Sequence, residues 1–188
     1  SKQIDKHSLG VLIGYSWEEE AYRTLIGERD KFPGNDLPYL NAGSPDNQKS
    51  SGGGNDWAIQ SLFGRLRYNF DERYLLESTI RYDGSSRFPK DNKYGFFPSV
   101  AAGWRISEES FFKENEDLDW INNLKLKASW GILGNQNIGN YPYQTVFELG
   151  QNYPFGDNYA LGAAVTTATD PTIKWEETQT VDAGFESV

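Results

Sequence analysis

Apolar and polar side chains alternate at a period of two along much of this chain. The clearest stretch is 124–132 (LKLKASWGI), where every even position from Leu124 to Ile132 is apolar and every odd position is Lys, Ser or Gly. Because successive side chains of a β-strand point to opposite faces, this pattern predicts a strand with one apolar and one polar face. Repeated along a chain, it is typical of the wall of an outer-membrane β-barrel.

Five further stretches follow the same pattern, so we predict an all-β fold of about six antiparallel, membrane-spanning strands. Two of them are separated only by Asp71, Glu72 and Arg73, which predicts a hairpin with a tight polar turn. The first strand continues weakly beyond its end, into 18–26. The six predicted strands cover residues 8–17, 57–70, 74–82, 96–106, 124–132 and 174–186.

The connections between these strands alternate in length. The long ones are 29–56, 83–95 and 135–172, and the shorter ones are 71–73 and 107–123. Outer loops of bacterial outer-membrane barrels are long and periplasmic turns are short, so the pattern predicts that the first set lies outside the cell. The run 50–55 (SSGGGN) has no side chain to pack, and we expect it to be mobile. The sequence 107–112 predicts a short capped helix.

Local alternation alone also fits a soluble two-sheet sandwich with one wet face, and we weigh both folds. No run approaches the roughly 18 apolar residues of a membrane helix. Two features favour a barrel wall: strands of about 9–11 residues, and aromatic residues near strand ends, where a membrane has its interfaces. The strand-end aromatics are Trp17, Trp57, Tyr68, Tyr74, Tyr82, Phe96, Trp104, Trp130 and Trp175.

Two groups of residues are candidates for contact with a solute or partner. The first group lies on the polar face, as either a charged lumen wall or a solvated sheet face with weak ion pairs. It comprises Arg65, Arg67, Glu77, Arg81, Arg105, Lys125, Lys127 and Asp182. The second group consists of loop aromatics that could stack on a ligand, contact a partner or pack the loop on itself. It comprises Tyr141, Tyr143, Tyr153, Phe155 and Tyr159.

Composition narrows the function further. A net charge of −9 argues against nucleic acid as a partner. With no cysteine in the chain, thiol catalysis and cysteine metal sites are excluded. The single histidine, His7, has no nucleophile near it, and the acidic pairs Glu18–Glu19 and Glu176–Glu177 alternate between faces of a strand. We therefore expect no catalytic residues, no metal site and no cofactor.

Long motifs carry a family resemblance. They are RYLLESTIRYDGSSRF at 73–88, FPSVAAGWRISEE at 97–109 and LKLKASWGILGNQNIG at 124–139, with shorter matches at 35–38 (NDLP) and 174–176 (KWE). In this order they resemble the TonB-linked outer-membrane proteins of the SusC/RagA type. The resemblance covers nearly the whole chain.

This resemblance implies a barrel of 22 strands with an N-terminal plug, located in the outer membrane of a Gram-negative bacterium. It implies import of a nutrient, often a glycan or a peptide, with a SusD-like surface lipoprotein as a lid and TonB acting on the plug. We therefore expect residues 1–188 to be a partial barrel domain without the plug and the TonB-contacting segment. The alternative is a soluble β-sandwich that binds glycans at the cell surface.

Overall fold

The computed structural model describes residues 2–118, 120–156 and 158–188, and strands dominate them. The long strands follow the predicted stretches, because their alternating side chains give each strand one apolar and one polar face. The strands are β1 Lys2–Ile4, β2 His7–Glu28, β3 Lys49–Phe70, β4 Tyr74–Ser85, β5 Tyr94–Arg105, β6 Leu124–Asn135, β7 Glu148–Leu149, β8 Tyr153–Phe155, β9 Asn158–Ala160, β10 Ala163–Ala164 and β11 Glu176–Ser187.

Within the described ranges, seven strands form one antiparallel sheet in the order β1-β2-β3-β4-β5-β6-β11. The six long members are the six predicted strands, and the three-residue β1 adds to the edge beside β2. Each strand of this sheet pairs with the next strand along the chain, except that β6 pairs with β11 because the small pairs β7–β10 and β8–β9 are inserted between them. The sheet is therefore a meander, as the pattern predicted.

Connections at the two ends of the sheet differ as expected. One end carries the turn 71–73 and the connection 106–123, and the other carries 29–48, 86–93 and 136–175. In the tight turn, Asp71 and Glu72 both have positive φ angles, 52° and 54°, as type I′ hairpin turns require. We call these the short-turn end and the long-loop end.

Helical structure is confined to the connections. The helix α1, Ser110–Lys113, begins three residues later than the predicted capped helix, and its N-cap residue Glu109 makes no side-chain cap bond. Single 3-10 turns lie at Leu40–Ala42, Lys90–Asn92, Ile106–Glu108 and Glu116–Leu118. Among the described residues, no helix is both long and apolar enough to cross a membrane.

The β2–β3 hairpin extends well beyond its neighbours. Its two strands pair over all 22 residues, from His7 with Phe70 to Glu28 with Lys49. The next strand, β4, pairs with β3 only from Ile59 onward. The prediction of a loop over 29–56 was therefore wrong from residue 49. The SSGGGN run is part of β3 and pairs through its main chain with β2, which side-chain patterning cannot reveal.

A small buried core closes the long-loop end. Phe97 of β5 packs with Phe88 of the β4–β5 connection and with Trp175, which precedes β11. The ring centroids of Phe88 and Trp175 are 5.0 Å apart, and those of Phe97 and Trp175 are 5.2 Å apart. The Trp175 indole N–H also donates a hydrogen bond to the Lys93 carbonyl, at 3.1 Å. This cluster joins the connections 86–93 and 136–175 to the sheet.

Candidate functional surfaces

Strand register sorts the side chains of the sheet onto two faces. At the short-turn end, cross-strand partners form a row from His7 to Phe185. The row comprises His7, Phe70, Tyr74, Trp104, Leu126 and Phe185. Eight residues farther along each strand, a second row contains Tyr15, Leu62, Tyr82 and Phe96. Between the two rows this face is mainly aliphatic, and we call it the apolar face.

The spacing of the two aromatic-rich rows is comparable to the apolar band of a membrane barrel, which is about 25 Å tall. Eight residues correspond to about 27 Å along a strand, or roughly 20 Å of height at the tilt usual in barrels. Not every aromatic predicted for these rows lies in them. Trp57 packs under Arg87, whose guanidinium carbon lies 4.9 Å from the ring centre, and Trp175 belongs to the buried core. Trp57 lies inside β3 and on its polar face, because that strand begins at Lys49 and not at residue 57 as predicted. Trp175 precedes β11, where contacts between connections decide its position. Trp130, opposite Val100, lies on the apolar face between the two rows.

The apolar face is bare. Ile13 is 78% exposed and Val181 is 71% exposed, and most of the large apolar side chains on this face are likewise exposed. The accessible surface totals 14293 Å², whereas a compact monomer of this mass exposes about 9,100 Å². A sandwich would bury this face under a second sheet, and no such layer covers it in the described ranges. The geometry therefore contradicts the sandwich alternative.

All eight predicted polar-face residues lie on the opposite face. Register pairs Arg67 with Glu77 and Arg105 with Lys125. It also continues the row of Arg67 and Glu77 through Ala101 and Ser129 to Asp182. A hollow of about 890 Å³ lies on this face, lined by charged side chains and by small residues. The charged residues are Arg67, Glu77, Lys125, Lys127 and Asp182. Glycine and alanine at its floor leave room for another molecule to approach the sheet.

Ion pairs compensate most of the cations on this polar face. The Glu77 carboxylate lies 2.6 Å from Arg67 and 3.5 Å from Arg65. Glu186, a residue that the sequence did not single out, lies 2.6 Å from Lys127 and 3.7 Å from Lys125. These side chains are substantially exposed, so each pair contributes only about 0–1 kcal/mol to stability. Only the strand register, which the sequence does not give, brings Glu186 beside the two lysines.

The two remaining arginines of the polar face, Arg81 and Arg105, also lie beside acidic side chains. Arg81 lies 3.2 Å from Asp83 and donates a hydrogen bond to the Ser61 hydroxyl at the same distance. Arg105 lies 3.5 Å from both Glu72 and Glu108, and so joins the sheet to the short-turn end. The described structure records no ion pair for Asp182. The polar face is therefore a mixed-charge surface without a strong field of either sign.

A second network ties the connection 106–123 to the sheet. One Glu109 oxygen accepts hydrogen bonds from the Tyr74 hydroxyl at 2.6 Å and the Trp104 indole at 2.9 Å. Arg73 donates to the other oxygen at 3.1 Å and also pairs with Asp71, which Lys6 contacts at 3.0 Å. These bonds lower the pKa of the Glu109 carboxyl from its ordinary 4.5. Arg73 and Lys6 likewise lower the pKa of Asp71 from 3.8.

At the long-loop end, side chains of the connection 86–93 donate hydrogen bonds to both ends of the connection 136–175. Arg87 donates hydrogen bonds to the Gln136 and Ile138 carbonyls, at 3.2 and 3.1 Å. Asn92 donates to the Thr172 and Ile173 carbonyls, at 2.9 and 3.2 Å. The DGSSRF motif of the sequence therefore has a structural role here.

The predicted loop aromatics fall into two groups. Tyr141 and Tyr143 are half-buried at the base of the loop, and the Tyr141 hydroxyl donates to Asp56 at 2.9 Å. Tyr153, Phe155 and Tyr159 lie on the small β8–β9 pair and are exposed. Their contact with a ligand or lid stays a prediction.

Candidate catalytic and metal-binding groups are sparse. His7 lies 2.8 Å from the Tyr68 hydroxyl, within the row of aromatics. Among the described residues, no three or more His, Asp or Glu side chains are grouped to hold a metal ion.

Comparison with known proteins defines the class. Residues 4–187 match the model of the family described as TonB dependent receptor-like, beta-barrel. This match covers nearly the whole chain, so the chain belongs to that family of TonB-dependent receptors. Within the family it is of the SusC/RagA type, which confirms both the resemblance carried by the sequence motifs and the barrel fold class.

Two curated relatives illustrate the match. The TonB-dependent receptor SusC of Bacteroides thetaiotaomicron is 45% identical over 132 residues, 68% of this chain and 13% of that protein. The TonB-dependent receptor P3 of Formosa agariphila is 33% identical over 188 residues, 99% of this chain and 18% of that protein. The chain thus spans less than a fifth of the length of these relatives.

Solved structures agree with the sequence matches. The RagAB peptide transporter superposes with a TM-score of 0.83 at 30% identity, over 97% of this chain and 20% of that chain. The RagAB peptide importer in its closed-closed state gives a TM-score of 0.85 at 28% identity, over 100% of this chain and 20% of that chain. The seven-stranded sheet described above is therefore similar to part of the structure of these transporters.

Proposed function

We propose that this chain forms part of the wall of a TonB-dependent transporter in the outer membrane of a Gram-negative bacterium. The observation that carries the proposal is the contrast between the two faces of one sheet. One face is bare and apolar between two aromatic-rich rows, as lipid contact requires, and the other is polar and hollow. The transporter imports a nutrient without covalent chemistry or a cofactor.

In this role the polar face lines the lumen or contacts the plug. The lumen-facing residues are Arg65, Arg67, Glu77, Arg81, Arg105, Lys125, Lys127 and Asp182. Mixed charge suits such a wall, since weak exposed ion pairs can exchange partners with a plug or a passing solute. Residues 1–188 are one partial barrel domain, and the plug with its TonB contact belongs to other parts of the transporter.

The nutrient is an oligosaccharide or a peptide, delivered with a SusD-like surface lipoprotein as a lid. The peptide is supported by the RagAB neighbours, which are named as a peptide transporter and importer. Exposed aromatics at the long-loop end support the lid, because bare apolar patches on a folded surface mark interaction sites. Tyr153, Phe155 and Tyr159 contact the lid or the solute, and Tyr141 and Tyr143 hold the base of that loop.

Arginine substitution on adjacent residues tests the wall in the full-length transporter. Ala128 lies on the apolar face and Ser129 on the polar face, midway along β6. We expect Ala128→Arg to lower the free energy of unfolding in liposomes by about 2–4 kcal/mol, since it places a charge in lipid. Ser129→Arg, facing the lumen, serves as the matched control and should change it little. Equal losses for the two variants would contradict the membrane wall.

A further inference from the structure

The part of the β2–β3 hairpin that extends beyond β4 lacks the support that such a hairpin needs. We call residues 21–28 and 49–56 the ribbon. Almost every ribbon residue is exposed, and Leu25 is 87% exposed. A two-stranded ribbon without a packed face is marginally stable in water. Its extended conformation therefore calls for a further contact.

The composition of β3 strengthens this argument. Gly52, Gly53 and Gly54 are consecutive and extended, opposite Leu25, Thr24 and Arg23 of β2. Each glycine in a strand costs about 0.5–1 kcal/mol relative to alanine, because its backbone loses more freedom. A strand held against this cost is expected where another backbone must approach closely.

The outer edge of β3, away from β2, is open to another backbone over residues 49–54. Ala58 is the last residue whose main chain bonds toward the β4–β5 connection, through Ser86. Asn140 and Tyr141 reach only the side chains of Asn55 and Asp56. In the described part of the chain, main-chain bonding of residues 49–54 comes from β2 alone. Proline, bulges or charged side chains usually protect such edges. Lys49, at the end of this edge, is charged and lies 3.2 Å from Glu28, whereas residues 50–54 contain no proline, bulge or charge.

We propose that residues 49–54 accept an extended segment of the SusD-like lipoprotein as an added antiparallel or parallel strand. An edge of alternating N–H and C=O groups at strand spacing is complementary to one chemistry, another extended polypeptide. The absence of side chains at three successive glycines lets that backbone approach without steric conflict. This inference rests on the proposed function, because it names the surface through which the lid binds.

Position favours the lipoprotein over a peptide solute. Residues 49–54 lie five to ten residues beyond Ile59, where β4 pairing begins, which is about 17–34 Å beyond the sheet along the strand. A site this far from the hollow of the polar face serves contact with a protein outside the barrel. Glycine and serine also offer no side-chain pockets with which to select a solute, whereas they suit a permanent main-chain pairing.

Hydrogen exchange in the full-length transporter tests the pairing directly. The transporter is purified with and without its co-expressed lipoprotein, and exchange of the 49–56 amides is followed by mass spectrometry. We expect about half of the amides in 49–54, those facing outward, to exchange at least tenfold more slowly in the complex. Unchanged exchange in a complex that forms normally would overturn the inference and leave the lid partnership standing.

Proline substitutions at two adjacent positions distinguish main-chain hydrogen bonding to the lipoprotein from a lipoprotein that only lies over this segment. Successive N–H groups of β3 point alternately toward β2 and outward, so one of Gly53→Pro and Gly54→Pro removes an outward donor. Exchange in the free transporter identifies the variant that keeps the β2 pairing. That variant should bind the lipoprotein about tenfold more weakly, the effect of one lost hydrogen bond.

Alanine at the same positions provides the matched controls. A Cβ meets its nearest neighbour at 3.5 Å on Gly53 and at 3.4 Å on Gly54, so both alanines fit and keep their N–H groups. Wild-type affinity for the alanine variants and for both prolines would overturn the inference. Protection that is already present in the transporter without lipoprotein would assign the edge to another segment of the same transporter, or to a second transporter where it rises with concentration. Either outcome would overturn the inference too. Failure of the wild-type transporter to bind the lipoprotein would refute the lid partnership itself, and this inference with it.

Discussion

At the scale of single residues, close approach of aromatic rings to glycine backbones shapes the long-loop end. The Phe97 ring covers Gly95 and Gly134, such that a Cβ on either glycine would overlap it. Because Phe97 is buried against Phe88 and Trp175, the ring has no free space into which to turn. Glycine at 134 is therefore a packing requirement of the core that joins loop to sheet.

This contact predicts the effect of one methyl group. Gly134→Ala should lower the free energy of unfolding by about 1–3 kcal/mol, the usual cost of overpacking a core. Gly184→Ala is the matched control in the neighbouring strand, because its Cβ would meet only the Lys127 side chain, at 3.5 Å. Thermal unfolding of the full-length transporter in detergent measures both variants, and similar melting temperatures for them would contradict the packing argument.

Acid sensitivity is a second prediction at this scale. The Glu109 carboxyl has its pKa lowered from 4.5 in the folded state, through bonds from Tyr74, Trp104 and Arg73. Its contribution to stability is therefore complete above about pH 4.5 and is lost as the pH falls through the lower, folded value. We expect the melting temperature to stay constant from pH 7 to pH 5 and to fall below pH 4.

Substitution assigns this loss to the carboxylate. Glu109→Gln should lower the melting temperature at pH 7 and make the decline below pH 4 shallower, since the amide cannot pair with Arg73. Glu114→Gln changes an exposed acid of the same connection and should follow the wild type. If Glu109→Gln matched the wild type at every pH, the network would contribute nothing to the folded state.

At the scale of elements, the loop 136–175 depends on its neighbour for its position. Arg87 holds the Gln136 and Ile138 carbonyls and lies over Trp57, so one side chain joins two connections and β3. We expect Arg87→Ala to speed amide exchange across 136–141 and to lower the free energy of unfolding by about 2 kcal/mol. Lys90→Ala, an exposed cation of the same connection, should change neither. Exchange unaffected by Arg87→Ala would show that the aromatic core alone holds the loop.

The elements also show what sequence reasoning can reach. Alternation predicted six strands and the hairpin around Asp71, because side-chain direction in a strand is a local property. It missed the β3 half of the ribbon, because Gly52 to Gly54 have no side chains and are extended only through pairing with β2.

The candidate surfaces follow the same division. Alternation placed all eight charged residues on one face, but Glu186 and the Arg87 hydrogen bonds depend on register and on loop contacts between distant segments.

At the scale of the whole molecule, the sheet is an open structure. Its apolar face is bare, and β11 and the β1–β2 side leave edges unpaired within the described residues. Open edges recruit further strands, and in lipid they do not occur at all. In the transporter, neighbouring wall strands and lipid satisfy both requirements. The chain by itself has neither.

We therefore predict that the 188-residue chain, produced alone in detergent-free buffer, associates into oligomers or aggregates. Sedimentation measures the outcome, and a monomeric, protease-resistant species would contradict it. Replacing Val11, Ile13 and Val181 with threonine should reduce association, because these exposed residues lie on the apolar face. The control variant carries three substitutions on the polar face, Thr79→Ser, Ser99→Thr and Thr180→Ser, and should associate like the wild type. If both variants associate equally, the contact between chains is made by the unpaired strand edges and not by the apolar face.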